Sequence, residues 1–134
     1  MLKPIILAGA VAFGLAACTP TAPASPELSS EIQMVLRAAR ADIGEDIGGG
    51  AILRSANSDG DTLVFGFTLA PLLQLAYDTD SEEFTSSFVN GFTRDICNNG
   101  DIGEFLSNGG AIRTEFFNAS GTPLRAFTVS DCPS

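Results

Sequence analysis

Past residue 26 the apolar side chains change period three times, from helical to alternating, back to helical and again to alternating. A chain written that way must lay helices against a sheet. Leu28, Ile32, Val35, Leu36 and Ala39 share one helical face. Ser25-Pro26-Glu27 ahead of them reads as a start, with a hydroxyl able to accept from an early amide, proline in the first turn and an acid favourable to the dipole. The helix should fade near Asp42 to Gly44, and Gly48-Gly49-Gly50 cannot continue it. Leu63, Phe65, Phe67 and Leu69 then alternate with Val64, Gly66 and Thr68. With Ala51 to Asn57 before them and Ser58-Asp59-Gly60-Asp61 between, this is a β-hairpin, although Ile52 and Leu53 point to opposite faces of its first strand.

The second half repeats the order. Thr79 to Glu83 supplies capping residues and early negative charge for a helix running to about Cys97, with Phe84, Phe88 and Phe92 every four residues and Val89 and Ile96 filling the stripe. Asp101 and Glu104 introduce a short helical piece carrying Ile102, Phe105 and Leu106, stopped by Asn108-Gly109-Gly110. Ala111 to Asn118 and Leu124 to Asp131 form a second hairpin, with Ile112, Thr114 and Phe116 on one face of its first strand. The expected fold is α+β in the order αββαββ, a four-stranded, mainly antiparallel sheet with two helices packed on one face. Nine of the ten phenylalanines lie in it, there is no tryptophan, and their burial would offset much of the cost of ordering the chain.

The first seventeen residues belong to no such pattern. Lys3 precedes an apolar run from Ile5 to Leu15, and Ala16 and Ala17 stand before Cys18, the three parts of an export signal. At 1.5 Å per residue the run is too short to remain as a membrane-crossing helix. Thr19 to Pro26 is proline-rich and without apolar period, so it should be extended, a tether of roughly 25 Å at about 3.1 Å per residue. The expected organisation is a signal at 1–17, a tether at 18–26 and one domain at 27–134, since the remainder is too short for two ordinary cores.

Beyond the signal, six arginines against sixteen acids leave a formal charge of −10, with no lysine and no histidine. That field repels nucleic acid and anionic head groups and speeds encounter with a basic partner. The missing residue types remove Ser-His-Asp and Cys-His hydrolysis, Schiff bases and histidine-ligated metals. The acid pairs Asp59 with Asp61 and Glu82 with Glu83 sit where turns and helix starts need acids. Asn57 to Asp61 and Asp78 to Glu82 place oxygens at alternate positions, but a calcium loop with Asn57 and Asp59 at its third and fifth positions has Gly66 where its closing glutamate belongs. Arg37 and Arg40 lie one turn apart off the apolar stripe and could share an anion, or simply pair with neighbouring acids. Gly48-Gly49-Gly50 lacks a phosphate loop's lysine, and Asn118-Ala119-Ser120 reads as turn chemistry. No cofactor or metal is expected. Cys97 and Cys132 remain after Cys18; in an oxidising compartment they should pair, pinning the second helix to the end of the last strand.

Leu15-Ala16-Ala17-Cys18 resembles the lipobox of bacterial lipoproteins. The resemblance implies cleavage before Cys18 and acylation there, and several acyl chains together would make anchoring effectively permanent. Thr19 is not the aspartate that retains such proteins on the inner membrane of enteric bacteria, so the resemblance favours the outer membrane, facing the periplasm. The mature pattern also resembles small cysteine-paired periplasmic lipoproteins of unassigned role and, in size, anchor and disulfide, the pilotins that escort secretins to the outer membrane; no pilotin site residue carries over. The leading expectation is a non-enzymatic, membrane-tethered accessory domain that binds another envelope protein. The alternatives are an inhibitor of a basic envelope-attacking enzyme such as lysozyme, and a small-ligand binder or enzyme.

Overall fold

A computed structural model describes residues 24–47 and 49–132. The expectations placed on the export signal, on Cys18 and on the tether as far as residue 23 lie outside the described residues. The elements are α1 (Pro26–Arg40), β1 (Ala51–Asp59), β2 (Thr62–Leu69), α2 (Pro71–Thr79), α3 (Ser81–Cys97), α4 (Gly100–Ser107), β3 (Ala111–Phe117) and β4 (Pro123–Val129). The fold is α+β as expected, with the short helical piece after Asn99 present as α4 and with α2 added to the expected helices.

α1 buries Leu28, Ile32 and Leu36. Ser25 is its extended N-cap, but its hydroxyl makes no capping bond. Its carbonyl accepts from Leu28 and Ser29, and its own amide donates to Asp61 Oδ1 at 2.7 Å. The start of the domain is thereby fastened to the first hairpin turn, which closes tightly, with Asp59 opposite Thr62 and Gly60 at φ 62°, a conformation costly for any side chain.

The sheet runs β1-β2-β3-β4. Both hairpins are antiparallel, while the central pair β2–β3 is parallel, Leu63 beside Ile112 and Phe67 beside Phe116. Parallel pairing follows from the connection: α2, α3 and α4 return the chain across the helical layer, so β3 enters at the same end as β2. A bulge between Leu53 and Ser55 reconciles the two faces of β1. Leu53 and Ala56, three residues apart, are both buried, because the extra residue restores the inward phase. The outer edge of β1 is covered by residues 44–47, with Gly44 donating to Leu53 O at 2.7 Å and Leu53 to Glu45 O at 3.1 Å, which blunts an otherwise unpaired edge.

All four helices contribute to the apolar layer over one sheet face. On the opposite face the Arg54 guanidinium stands 4.2 Å from the centre of the Phe117 ring, and Arg113 pairs with Glu115 at 3.1 Å. Gly66 makes room there, since a Cβ would fall 2.5 Å from Ser55 Oγ and 3.2 Å from the Phe117 ring. Cys97 and Cys132 are joined by a disulfide, Cα atoms 5.8 Å apart, tying the end of α3 to the segment after β4.

The phenylalanines divide unevenly. Phe67, Phe105 and Phe116 are fully buried. α3 has no buried residue at all, although Phe84, Phe88 and Phe92 meet the rings of Phe67, Phe116 and Phe127. The helix rests on the sheet by its aromatic stripe while its flank stays open.

Candidate functional site

The acids singled out in the sequence do not converge. Asp61 holds the Ser25 amide, Glu82 lies 3.4 Å from Arg125, and Glu83 accepts from the Ser87 hydroxyl at 3.3 Å. Among the described residues no group of three or more His, Cys, Asp or Glu side chains is placed to hold a metal. Asp80 is a helix cap, accepting from Glu83 N at 3.1 Å, and Asp78 accepts from Gln74 Nε2. Arg40 is turned to β1, donating to Ala56 O at 2.9 Å and Asn57 Oδ1 at 3.4 Å; it braces α1 and shares no ligand with Arg37. Gly50 closes the loop into β1, its amide on Asp46 Oδ1. Asn118 Oδ1 accepts from the amides of Ser120 and Thr122, the turn chemistry expected of it. Tyr77 donates to Leu124 O at 3.4 Å and meets Phe84 edge-on, so its hydroxyl is occupied in joining α2 to β4.

The concave surface lies elsewhere, around α2. Proline at its first position and the extended Ala70 before it start this helix, because proline needs no amide partner there and is pre-set to a helical φ. Leu73 and Tyr77 turn inward to the core. Leu72 and Leu75 turn outward, 81% and 62% exposed. A trough of about 700 Å³ opens between α2 and α3, floored by Leu73, Phe84 and Phe88 and walled by Leu72, Leu75 and Ala76, with Asp80, Glu83 and Ser87 on its rim. Beyond Ser87 and Phe88 it continues into a depression of about 210 Å³ lined by Ile47, Ala51, Gly91, Phe92 and Asp95.

Residues 80, 83, 84, 87, 88, 91, 92 and 95 are spaced alternately by three and one, so the two hollows follow one flank of α3 almost end to end. At 1.5 Å per residue that flank is roughly 22 Å long. The charged residues lining it are Asp80, Glu83 and Asp95, all acidic. The hydroxyls in the lining are those of Thr79, which donates to Leu75 O, and Ser87, which donates to the Glu83 carboxylate. Such a surface is suited to receiving an elongated apolar segment flanked by cations.

No protein-family profile matches the chain, and no curated protein does. Solved structures that share the fold include a protein of Pseudomonas aeruginosa described as secreted, with a TM-score of 0.62 and 14% identity over 78% of this chain and 89% of that one. Another is the type II secretion system pilotin AspS of Vibrio cholerae, with a TM-score of 0.58 and 17% identity over 78% of this chain and 89% of the other. A third is the type 2 secretion system pilotin EpsS of Vibrio vulnificus, with a TM-score of 0.55 and 15% identity, covering 82% of this chain and all of that one. At these identities the likeness establishes the fold alone. It belongs to an architecture that secretion-system pilotins also use.

Proposed function

We propose that this chain is a pilotin-like accessory protein of the cell envelope, anchored by lipid on Cys18 and non-enzymatic, which receives a segment of a secretin along the open flank of α3. The observation that carries the reading is the pair of leucines displayed on α2. A helix apolar on the side turned away from its own core presents surface for another molecule. Leu72 and Leu75 stand at the mouth of the trough, and half-buried phenylalanines continue its floor. The fold shared with two pilotins supports the same reading, as does the match of Leu15 to Cys18 to a lipobox.

Deleting the gene and following a secretin of the same cell through membrane fractions tests this. The secretin is expected to accumulate in the inner membrane. Complementation with the wild-type gene should restore its outer-membrane position, whereas Leu72→Gln/Leu75→Gln and Cys18→Ser should not. A secretin that reaches the outer membrane normally without this protein would remove the proposal. Mass spectrometry of the native protein checks the anchor separately, the expected species beginning at an acylated Cys18.

A further inference from the structure

A second trough, sharing no residue with the first, lies between α1 and α4 and encloses about 570 Å³. Val35, Ile102 and Phe105 form its floor, and Met34 stands at its lip, 61% exposed. Its charged lining is again of one sign, Glu31 from α1 with Asp101 and Glu104 from α4. The two ion pairs between side chains of the described residues, Arg113 with Glu115 and Arg125 with Glu82, use none of these carboxylates.

We propose that this trough is a docking site for a short amphipathic segment of a partner protein, one that carries lysine or arginine on both sides of an apolar stripe. The charge arrangement selects that occupant. Carboxylates on both walls of an apolar floor repel one another, and a cation reaching either wall relieves the repulsion while the stripe between covers the floor. Methionine at the lip adapts its shape to whatever side chain enters. A second copy of this chain is a poor candidate, because four of its six arginines are engaged at home: Arg40 on Ala56 O, Arg54 over Phe117, Arg113 with Glu115 and Arg125 with Glu82. Anionic lipid is repelled by the same rim.

The probe is a fluorescent synthetic helix of about 14 residues with leucine on one face and lysine on its flanks, compared with the same peptide carrying glutamate for lysine. Polarisation is read with the full chain purified in detergent. The lysine peptide should bind saturably, about a hundredfold more tightly than the glutamate peptide, and weaken as salt is raised. Glu31→Gln/Glu104→Gln should weaken it about tenfold, as should Met34→Lys, which places a cation in the trough. Leu72→Gln/Leu75→Gln, which alters only the trough along α3, should leave unchanged the binding that depends on Glu31 and Glu104. Among the described residues neither Glu31 nor Glu104 carries a side-chain hydrogen bond or ion pair, and an unaltered melting temperature confirms that those variants fold. Equal affinity for the two peptides, indifference to Glu31→Gln/Glu104→Gln, or loss confined to Leu72→Gln/Leu75→Gln would each overturn the proposal, the last by placing the peptide along α3. Self-association abolished by Met34→Lys would overturn it too, in favour of a second copy.

Discussion

The ring of Phe88 meets that of Phe116 edge-on, centroids 4.7 Å apart, and it is the closest aromatic contact between α3 and the sheet. Phe88 also lies in both hollows along the flank of α3. One side chain therefore holds the helix down and forms the middle of the surface it presents. Fold and surface should separate under mutation. Phe88→Ala is expected to lower unfolding free energy by about 2 kcal/mol, less than the truncation of a fully buried ring costs, because this ring is only half buried. Leu72→Gln/Leu75→Gln should change it by less than about 0.5 kcal/mol, since exposed leucines bury little in the monomer and glutamine keeps a similar helix propensity. Urea titrations of the three proteins check both values.

Thr114 is completely buried on the inner face of β3, and its hydroxyl has no hydrogen-bond partner among the described residues. It faces Phe65 across β2 and Phe127 across β4. Burial strips the hydroxyl of water without return, which costs about 1 to 3 kcal/mol. Valine has nearly the same shape and no such group. Thr114→Val should raise stability by about 1 kcal/mol, read as a higher denaturant midpoint at unchanged slope.

The strands and the long helices were legible because each faces one core. Leu63, Phe67 and Leu69 alternate inward just as their spacing requires, and Leu28, Ile32 and Leu36 form a single buried stripe. α2 was not legible, for the reason that makes it interesting. Leu72, Leu73, Leu75, Ala76 and Tyr77 are apolar on the inward and outward sides alike, so no single face stands out. The parallel β2–β3 pairing could not be read either, because it depends on where three helices set the chain down and not on any property of the strands. α4 was found with the wrong cap: Asn99, whose Oδ1 accepts from Asp101 and Ile102, does what Asp101 was expected to do. The trough between α1 and α4 left only Met34 as a trace, a large apolar residue off the buried stripe.

Gly110 has no left-handed backbone to explain it, yet a Cβ there would sit 2.4 to 2.6 Å from three atoms of the Phe105 ring. Phe105 is fully buried between α1, α4 and the sheet, so its ring cannot swing aside. Gly110→Ala should therefore cost about 2 to 3 kcal/mol by overpacking. Gly109→Ala next door strains a backbone at φ 103° but meets no atom within 4 Å, and should cost about 1 kcal/mol. Thermal melts of the two variants give the comparison, and the order of the pair matters more than either value.

The disulfide bears on α3 more than on any other element, because α3 has no fully buried residue to hold it. Its first half is fixed by the rings of Phe84 and Phe88. Its last turns depend on Phe92 and Ile96, both partly exposed, and on the bond from Cys97 to Cys132. Joining residues separated by 35 positions should restrict the unfolded chain by about 3 to 4 kcal/mol. Cys97→Ala/Cys132→Ala is expected to lose roughly that much in global stability. Hydrogen exchange should report a further local effect: amides from Gly91 to Cys97 lose protection beyond the global change, whereas those of β2, central and paired on both sides, lose only the global share. Uniform loss across α3 and β2 would mean that the aromatic stripe alone holds the helix to its end.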